Sequence, residues 1–316
     1  MASLEKLAPR VVVLCGSLRA GTTLLRVLLG RHPELTGRGE NDYLFERTDL
    51  RMIRGGGTQA EREALRSHVA VNRIPKSQGV VPPALAPIPD MIAQMIEAAM
   101  PTEGRLLLTL HRHADLAAAA LPGAAFVRLR RDPRDVAISA MKMGWAGNPF
   151  YGVDSWRQAE RDWYSAEPLI AGPRSEIAFE AMTADPRGEL SRVLGEIGLP
   201  FHEAVLTPHQ ASTYAPPSPE RNYAWRGVLS EREAREIDWR IRDVPDDGLY
   251  DRRPLEPGTL RRLALMAQSK AGRHAFHARR YGLGLHIAKV ATARLPIPGR
   301  AAVRERVNAI DTAHLK

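Results

Sequence analysis

A strand-like run, a glycine-bounded loop and a helical pattern follow one another near the start of the chain. Val11–Cys15 is an unbroken apolar run that is rich in β-branched residues, as is typical of a buried strand. The loop from Gly16 to Gly21 leads into apolar residues at helical spacing over Leu24–Leu29, and Pro33 ends this pattern. This order of strand, loop and helix predicts a βα unit, which is the building block of a parallel sheet.

Three later segments repeat the order of strand and helix. The predicted strands are 105–110, 124–129 and 175–179, and the helices after them are predicted at about 115–121, 133–143 and 186–197. Gly55–Gly57 predicts a turn or hinge, and the proline-rich segments Pro75–Pro89 and Thr213–Pro219 predict an extended connection and a loop. The alternation predicts the α/β class, with a parallel sheet flanked by helices on both faces.

Composition limits the class of protein further. The 316 residues are 44% hydrophobic and 26% charged, which excludes disorder as the main state. The one cysteine, Cys15, excludes an intrachain disulfide framework and a cysteine-rich zinc module. Because no apolar run approaches the roughly 18 residues of a membrane helix and Met1–Arg10 has no signal-peptide pattern, we expect a soluble, cytoplasmic protein.

Charge and helical pattern change along the chain. Beyond about Ser230 the pattern is helical and strongly basic, so we predict an α/β core over 1–230 and a helical extension over 231–316 packed on the same domain. The 45 Lys and Arg residues against 36 Asp and Glu give a net charge of +9. This excess favours an anionic partner, which could be a nucleic acid, a lipid headgroup or a phosphorylated small molecule.

The loop Gly16–Thr23 has the length and setting of a phosphate-binding loop. Two glycines allow successive N–H groups to turn inward, and the following helix adds its positive N-terminal end. Thr22 occupies the position of the lysine in the nucleotide triphosphatase loop, and no aspartate is well placed to hold Mg²⁺. The loop contains Arg19, whose planar fork suits a phosphate or sulfate.

This loop resembles the 5′-phosphosulfate loop of sulfotransferases that use PAPS (3′-phosphoadenosine 5′-phosphosulfate). The run R-A-G-T-T-L-L followed by H-P is similar to the protein-tyrosine and the bacterial carbohydrate and small-molecule branches, although Ala20 stands where many members carry serine. The resemblance implies a sheet of P-loop-NTPase-like topology, to which the helical C-terminal extension is added. It implies that the donor's 5′ end contacts Ser17, Leu18, Arg19, Ala20, Gly21, Thr22 and Thr23.

A second motif follows the predicted strand 124–129. Four arginines lie within Arg128–Arg134, and Pro133 is well placed in the first turn of a helix. Read alone, the segment could be a compact positive site or a solvated helix turn. The resemblance implies a 3′-phosphate motif in which Arg131 and Ser139 contact the phosphate, and it adds Arg226 from a looser pattern.

Sulfuryl transfer requires a base for the acceptor hydroxyl and cations near the leaving oxygen. Glu40, in a glycine-containing loop, is the candidate base, and the resemblance implies a base in a Gly-Glu pair like Gly39-Glu40. The alternative is that Glu40 is a surface carboxylate paired with Arg38. Arg19 and Arg112 are the candidate leaving-group cations, Arg112 standing near the position at which relatives carry a lysine. His111 or His113 is an alternative base. Two histidines at this spacing without a third ligand are a weak signal for a metal site, so we predict no bound metal.

These residues predict transfer of a sulfuryl group from PAPS to an acceptor hydroxyl, leaving PAP (adenosine 3′,5′-bisphosphate). The alternatives are a P-loop kinase or switch that uses Mg-ATP, and a basic adaptor that binds nucleic acid; the sparse aromatic content and absent reading helix disfavour a nucleic-acid partner. Acceptor contacts are predicted in loops 41–58, 75–90, 145–156 and 211–225. These loops carry the aromatic residues Tyr43, Phe45, Trp145, Phe150, Tyr151 and Tyr214, which suit an apolar or sugar-bearing acceptor and do not distinguish a lipid, a glycan, a phenol or a peptide tyrosine. We expect a small molecule, glycan or lipid rather than a protein.

Overall fold

A computed structural model of the protein describes residues 2–207, 217–294 and 299–314. Its described strands form one parallel sheet in the order β2-β3-β1-β4-β5. The strands are β1 (Val11–Cys15), β2 (Leu35–Thr36), β3 (Arg105–Leu110), β4 (Ala125–Arg130) and β5 (Arg174–Ala178). The predicted α/β class is confirmed.

Helices connect these strands and continue after the last of them. Before β4 they are α1 (Ala2–Leu7), α2 (Thr22–Leu29), α3 (Leu50–Ile53), α4 (Gln59–Val71), α5 (Arg73–Ser77), α6 (Ile88–Ala99) and α7 (Ala114–Ala120). After β4 they are α8 (Pro133–Lys142), α9 (Pro149–Gly152), α10 (Asp154–Ala166), α11 (Phe179–Ala184), α12 (Pro186–Glu196), α13 (Glu231–Arg240), α14 (Thr259–Tyr281), α15 (Leu283–Arg294) and α16 (Arg300–His314). No helix of the described chain is long and apolar enough to span a membrane.

The central strand β1 is buried along its whole length. Val11 pairs with Leu106 of β3, and Cys15 pairs with Leu110 on that side and with Arg128 of β4 on the other. Because the strands are parallel and nearly in step, their carboxyl ends meet at one edge of the sheet. The segments that follow β1, β3 and β4 therefore lie close together, which is where a ligand site is expected in an open α/β sheet.

Contacts divide the chain into two compact units. The first consists of 1–135 with 155–224 and holds the whole sheet; the second consists of 136–154 with 225–316 and is helical in its described part. The division predicted from the sequence, 1–230 and 231–316, stays a prediction.

Most predicted elements match the structure to within two residues, with two differences of physical interest. The segment Pro75–Pro89 is not extended throughout, because Pro75 lies within α5 and Pro89 in the first turn of α6. Proline fits the first turn of a helix, where an N–H would have no helical partner. The sequence also missed β2, which has only two residues and so no periodicity to detect. The predicted loop Thr213–Pro219 lies outside the described residues up to position 216.

Candidate active site

The loop after β1 turns back on itself before α2 begins. The N–H of Gly16 donates to the carbonyl of Leu110 at 3.1 Å, and the N–H of Ala20 donates to the carbonyl of Ser17 at 3.0 Å. Arg19 and Gly21 adopt left-handed conformations, with φ of 72° and 106°. Because α2 starts directly after Gly21, its first N–H groups, which have no helical partners, border the loop. This is the backbone arrangement of an anion site.

The ring of Phe179 closes one side of this loop. A Cβ atom on Gly21 would lie 2.5 Å from Cδ2 of Phe179, and one on Gly16 would lie 2.8 Å from the carbonyl oxygen of Leu129. Both distances are far inside van der Waals contact, so both positions require glycine. Phe179 thus packs directly against the loop.

Two buried residues of the loop bear on whether it fits an anion. The hydroxyl of Ser17 is buried and has no hydrogen-bond partner among the described residues. An unsatisfied buried hydroxyl is costly, and a bound anion would accept its proton. Ala20 is buried too and contributes its backbone to the loop. The residues present therefore fit an anionic group.

Thr22, His111 and Asp42 form a buried chain of hydrogen bonds beside the loop. Nε2 of His111 lies 3.0 Å from Oγ1 of Thr22, and Nδ1 lies 2.8 Å from Oδ2 of Asp42. The other carboxylate oxygen of Asp42 accepts the backbone N–H groups of His111 and Arg112 at 2.8 and 3.0 Å. The carboxylate thus holds the end of β3 and orients the imidazole toward the loop.

The charge state of Asp42 follows from these contacts. Burial favours the neutral carboxyl, but the hydrogen bonds and charge interactions with His111 outweigh it and hold the pKa of Asp42 below its ordinary value. An ionised Asp42 accepts the proton on Nδ1 of His111. Nε2 of His111 is thereby directed at the hydroxyl of Thr22.

Glu40 lies immediately before this chain of hydrogen bonds. Its carbonyl accepts Nε2 of Gln78 at 2.8 Å, and the next residue, Asn41, exchanges two hydrogen bonds with Thr109 of β3. These bonds tie Glu40 to the carboxyl end of β3, the neighbour of β1. The Glu40 side chain is partly exposed and makes no hydrogen bond or ion pair with any described residue, so the alternative pairing with Arg38 does not form.

Arg112 and His113 point to other partners. NH2 of Arg112 donates to Oε1 of Glu46 at 3.1 Å, and its side chain is about half exposed. The N–H of His113 donates to Oδ2 of Asp162 at 2.7 Å, and the side-chain ligand atoms of His113, Asp115 and Asp162 lie within 4.8 Å of one another. Asp162 also accepts a hydrogen bond from Gln158, so protein donors already satisfy its carboxylate.

Arg131 reaches the phosphate-binding loop from the end of β4. Its guanidinium stacks over the ring of Phe179, 4.2 Å from the centroid. It donates to the carbonyl oxygens of Arg19 and Arg221, each at 3.4 Å, and its own carbonyl accepts Nε1 of Trp156 at 2.9 Å. The guanidinium thus lies between the loop and the 219–221 segment, beside the same aromatic ring.

The other three arginines of the 128–134 cluster hold carboxylates of the protein. Arg128 is buried and pairs with Glu160 and Glu176. Arg130 lies within 3.9 Å of the same two carboxylates, and Arg134 makes two side-chain bonds to Asp132. Oδ2 of Asp135 also lies 3.9 Å from NH2 of Arg131, so a carboxylate accompanies each of the four arginines, and the interpretation of the cluster as one uncompensated positive site is wrong.

Two predicted contacts of the 3′-phosphate belong to the second unit. Ser139 lies on α8, and Arg226 lies in the short 3₁₀ turn Ala224–Gly227, where its guanidinium stands 5.7 Å from the ring centroid of Trp225. Their roles stay predictions.

The aromatic residues proposed for acceptor contacts fall into different environments. Tyr43 and Phe45 are buried in the core of the first unit, and Phe150 is buried in the second, stacked on Trp239. Trp145 is 42% exposed, and Tyr214 lies outside the described residues. Packing thus removes three of these rings from the surface that an acceptor could contact.

Sequence reasoning missed Asp42 and Glu160. Asp42 stands 69 residues before His111, and Glu160 stands 32 residues after Arg128. Only the position of Asp42 directly after Glu40 and Asn41 hinted at it, since Glu40 was already a candidate.

The similarity of the chain to known proteins agrees with this geometry. The profile of the Sulfotransferase family matches residues 9–203. Among solved structures, the sulfotransferase domain of the Synechococcus PCC 7002 olefin synthase has 18% identity and a TM-score of 0.51, covering 70% of this chain and 88% of that domain. No curated protein sequence is significantly similar to the chain.

Two further structures are more distant. The sulfotransferase domain of the curacin biosynthetic pathway has 16% identity and a TM-score of 0.45, covering 82% of this chain and 96% of its own. A retinol dehydratase in complex with androsterone and PAP has 15% identity and a TM-score of 0.45, covering 79% and 85%. The olefin synthase domain supports the fold, and the profile spans more than half of the chain, including the loop after β1 and Arg131. The chain therefore belongs to the sulfotransferase family, whose reaction is the transfer of a sulfuryl group.

Proposed function

We propose that the protein transfers the sulfuryl group of PAPS to an acceptor hydroxyl and releases PAP. One observation carries this proposal. The Phe179 ring packs against Gly21 of the anion-binding loop and also against the guanidinium of Arg131, which donates to a carbonyl of the same loop. A backbone anion site and an arginine are thereby held side by side, as a nucleotide with anionic groups at both ends requires.

The loop would hold the 5′ end of the donor. Its donors are the first N–H groups of α2, the Ser17 hydroxyl and the Arg19 side chain, with Leu18, Ala20, Gly21 and Thr23 supplying backbone. Arg131 would bind the 3′-phosphate. Stacking on Phe179 fixes the plane of the Arg131 guanidinium, which reduces the entropy lost when it binds a phosphate.

The reaction exchanges one bond to sulfur for another. Bound PAPS supplies the sulfuryl group: a bond forms from sulfur to the acceptor oxygen, and the sulfur–oxygen bond to the 5′-phosphate breaks, leaving its electron pair on the phosphate oxygen. Glu40 accepts the proton of the acceptor hydroxyl. The loop N–H groups and Arg19 stabilise the negative charge that develops on the leaving oxygen.

Hydrogen bonding favours Glu40 over His111 as the base. Both ring nitrogens of His111 are engaged, one by Asp42 and the other by Thr22, whereas the Glu40 carboxylate has no partner among the described residues. We assign to His111 the orientation of the Thr22 hydroxyl. Arg112 would assist the leaving group only after its side chain leaves Glu46.

The acceptor is proposed as a hydroxyl-bearing small molecule, glycan or lipid. The 41–58 and 75–90 segments, which precede and follow α4, are the candidate acceptor loops of the first unit. Gln78, from the second of these segments, holds the carbonyl of Glu40, so this loop also helps to position the base.

Calorimetric titration with PAP, beside a titration with Mg-ATP, tests the proposal. We expect PAP to bind without added metal, and Arg131→Ala to weaken this binding at least about tenfold, because a charged hydrogen bond to phosphate is lost. The control Arg66→Ala removes an exposed arginine of α4 and should bind PAP as the unmodified protein does. Binding of Mg-ATP with no binding of PAP would overturn the proposal in favour of a kinase.

A further inference from the structure

The whole positive excess of the protein lies in its last 58 residues. Residues 259–316 contain 12 Lys and Arg but only two Asp and Glu, a net charge of +10. The preceding 258 residues contain 33 Lys and Arg against 34 Asp and Glu, so they are almost neutral. Of the two acids, Asp311 is held by Arg280 and by the hydroxyl of Tyr281. The function proposed above uses none of this charge.

The helix α14 in this segment presents an apolar face to solvent. Its inner face is fixed because Asn148 donates to the carbonyl of Leu265 at 2.7 Å and Gly147 donates to the hydroxyl of Ser269 at 3.2 Å. On the opposite face, four residues follow one another at spacings of three and four, with Leu260 84% exposed and Leu263 53% exposed. These outer residues are Leu260, Leu263, Ala267 and Ala271, and we call them the α14 outer face.

The next helix repeats this arrangement on a smaller scale. In α15, Leu283 and Ile287 are four residues apart, hence on one side of the helix, and they are 67% and 57% exposed. His286, between them in sequence, is buried. Two successive helices therefore expose large aliphatic side chains within the most basic part of the chain.

Exposed aliphatic residues combined with lysine and arginine suit one class of partner. An anionic lipid bilayer attracts the positive charge and accepts the aliphatic side chains at its headgroup boundary. Nucleic acid would attract the same charge but gains nothing from exposed leucines. Proteins that bind nucleic acid commonly use exposed aromatic rings for stacking. The segment 259–316 contains one phenylalanine, Phe276, one tyrosine, Tyr281, and no tryptophan, and neither ring is exposed.

We propose that the α14 outer face binds the surface of membranes that contain anionic lipids, with Leu260 and Leu263 entering the headgroup boundary and the lysines and arginines of 259–316 supplying the attraction. The helix lies on the bilayer, because no described helix is long and apolar enough to cross it. This binding is separate from the proposed sulfuryl transfer and would remain if that proposal failed.

Sedimentation with lipid vesicles tests the proposal on the full-length protein. Vesicles of phosphatidylcholine with about 30% phosphatidylglycerol should bind the protein, vesicles of phosphatidylcholine alone should not, and salt should weaken the binding. The neutral double variant Leu260→Gln/Leu263→Gln should reduce the partition coefficient at least about tenfold, because two aliphatic side chains no longer enter the boundary. Val71→Gln, at an aliphatic position of α4 that is exposed to nearly the same extent as Leu263, should change it less than about twofold.

A charge-matched pair separates local attraction from net charge. Lys270→Glu/Arg273→Glu on α14 and Arg54→Glu/Arg66→Glu in the first unit lower the net charge equally, and all four positions are exposed. Only the α14 pair should lose at least about tenfold in vesicle binding, since the attraction acts close to the surface.

Four results would overturn the proposal. One is no binding to the anionic vesicles, and another is equal loss of binding in both charge pairs. The third is binding that Leu260→Gln/Leu263→Gln leaves unchanged, together with binding of duplex DNA that this variant also retains, which would identify a nucleic-acid surface. If light scattering instead shows a dimer that the leucine variant dissociates, the α14 outer face is a self-interface.

Discussion

Nε2 of His111 lies 3.0 Å from Oγ1 of Thr22, although the two residues are 89 positions apart in the chain. Thr22 stands where the triphosphatase loop carries its lysine, so a hydroxyl that contacts a histidine takes the place of that lysine in this loop. The carboxylate of Asp42 fixes the imidazole from its other side.

The contribution of Asp42 to the stability of the protein should therefore decrease in acid. The folded-state pKa of Asp42 is depressed, so its contribution is fully present above the unfolded pKa of about 3.9 and is lost as pH falls through the folded pKa. At pH 7, Asp42→Asn should lower the free energy of unfolding by about 1–3 kcal/mol, because an amide cannot accept from Nδ1–H and both backbone N–H groups as well. The loss should shrink below pH 4.

Urea denaturation at several pH values measures this difference. Glu63→Gln, an exposed carboxylate on α4, is the control and should change stability by less than about 0.5 kcal/mol at each pH. A penalty for Asp42→Asn that is equal at pH 3 and pH 7 would contradict the assigned role of the ionised carboxylate.

Gly21→Ala should impair nucleotide binding by distorting the loop. The new methyl group would lie 2.5 Å from Phe179, and the backbone φ of 106° is unfavourable for any residue with a Cβ. We expect at least about tenfold weaker binding of PAP by calorimetry. Gly195→Ala is the matched control, because Gly195 lies near the end of helix α12 and a Cβ there meets no atom within 4 Å. If Gly21→Ala binds PAP as tightly as this control does, the loop is not the nucleotide site.

Glu40→Gln should slow turnover without weakening the binding of PAP. An amide cannot accept the acceptor proton, so we expect kcat to fall about 10²-fold or more while the Kd for PAP stays within about twofold. Release of PAP from PAPS in the presence of a hydroxyl acceptor measures kcat. Glu34→Gln, which changes an exposed carboxylate just before β2, should turn over normally; if Glu40→Gln does so too, the base is His111 or His113.

Arg128→Met should destabilise the fold, in contrast to the Arg131 variant. Removing Arg128 leaves the buried carboxylate of Glu160 without its main partner, and burial already raises the pKa of Glu160. We expect a loss of about 3–5 kcal/mol in the free energy of unfolding. Adding Glu160→Gln should restore part of it in urea denaturation, whereas additive losses would show that the two side chains are not coupled.

The local patterns of the sequence determined the order of the elements and the nature of the loop. An apolar run before Gly16 and leucines at helical spacing after Gly21 are enough to place β1, the loop and α2, because strand and helix periodicity are local properties. The glycines also predicted an anion-binding loop, because backbone N–H groups bind anions where glycines permit the turn, and the resemblance of the loop motif pointed to the sulfotransferase family.

Tertiary structure decided which charged and polar residues meet at the loop. The sequence shows four arginines from Arg128 to Arg134, and only the fold buries Arg128 against Glu160 and Glu176 while it places Arg131 on the Phe179 ring, beside the loop carbonyl of Arg19. Asp42 meets His111 because the segment before it is tied to β3, beside β1. Parallel strands need long crossovers, so residues that meet at the carboxyl ends of the sheet lie far apart in sequence, where no local pattern connects them.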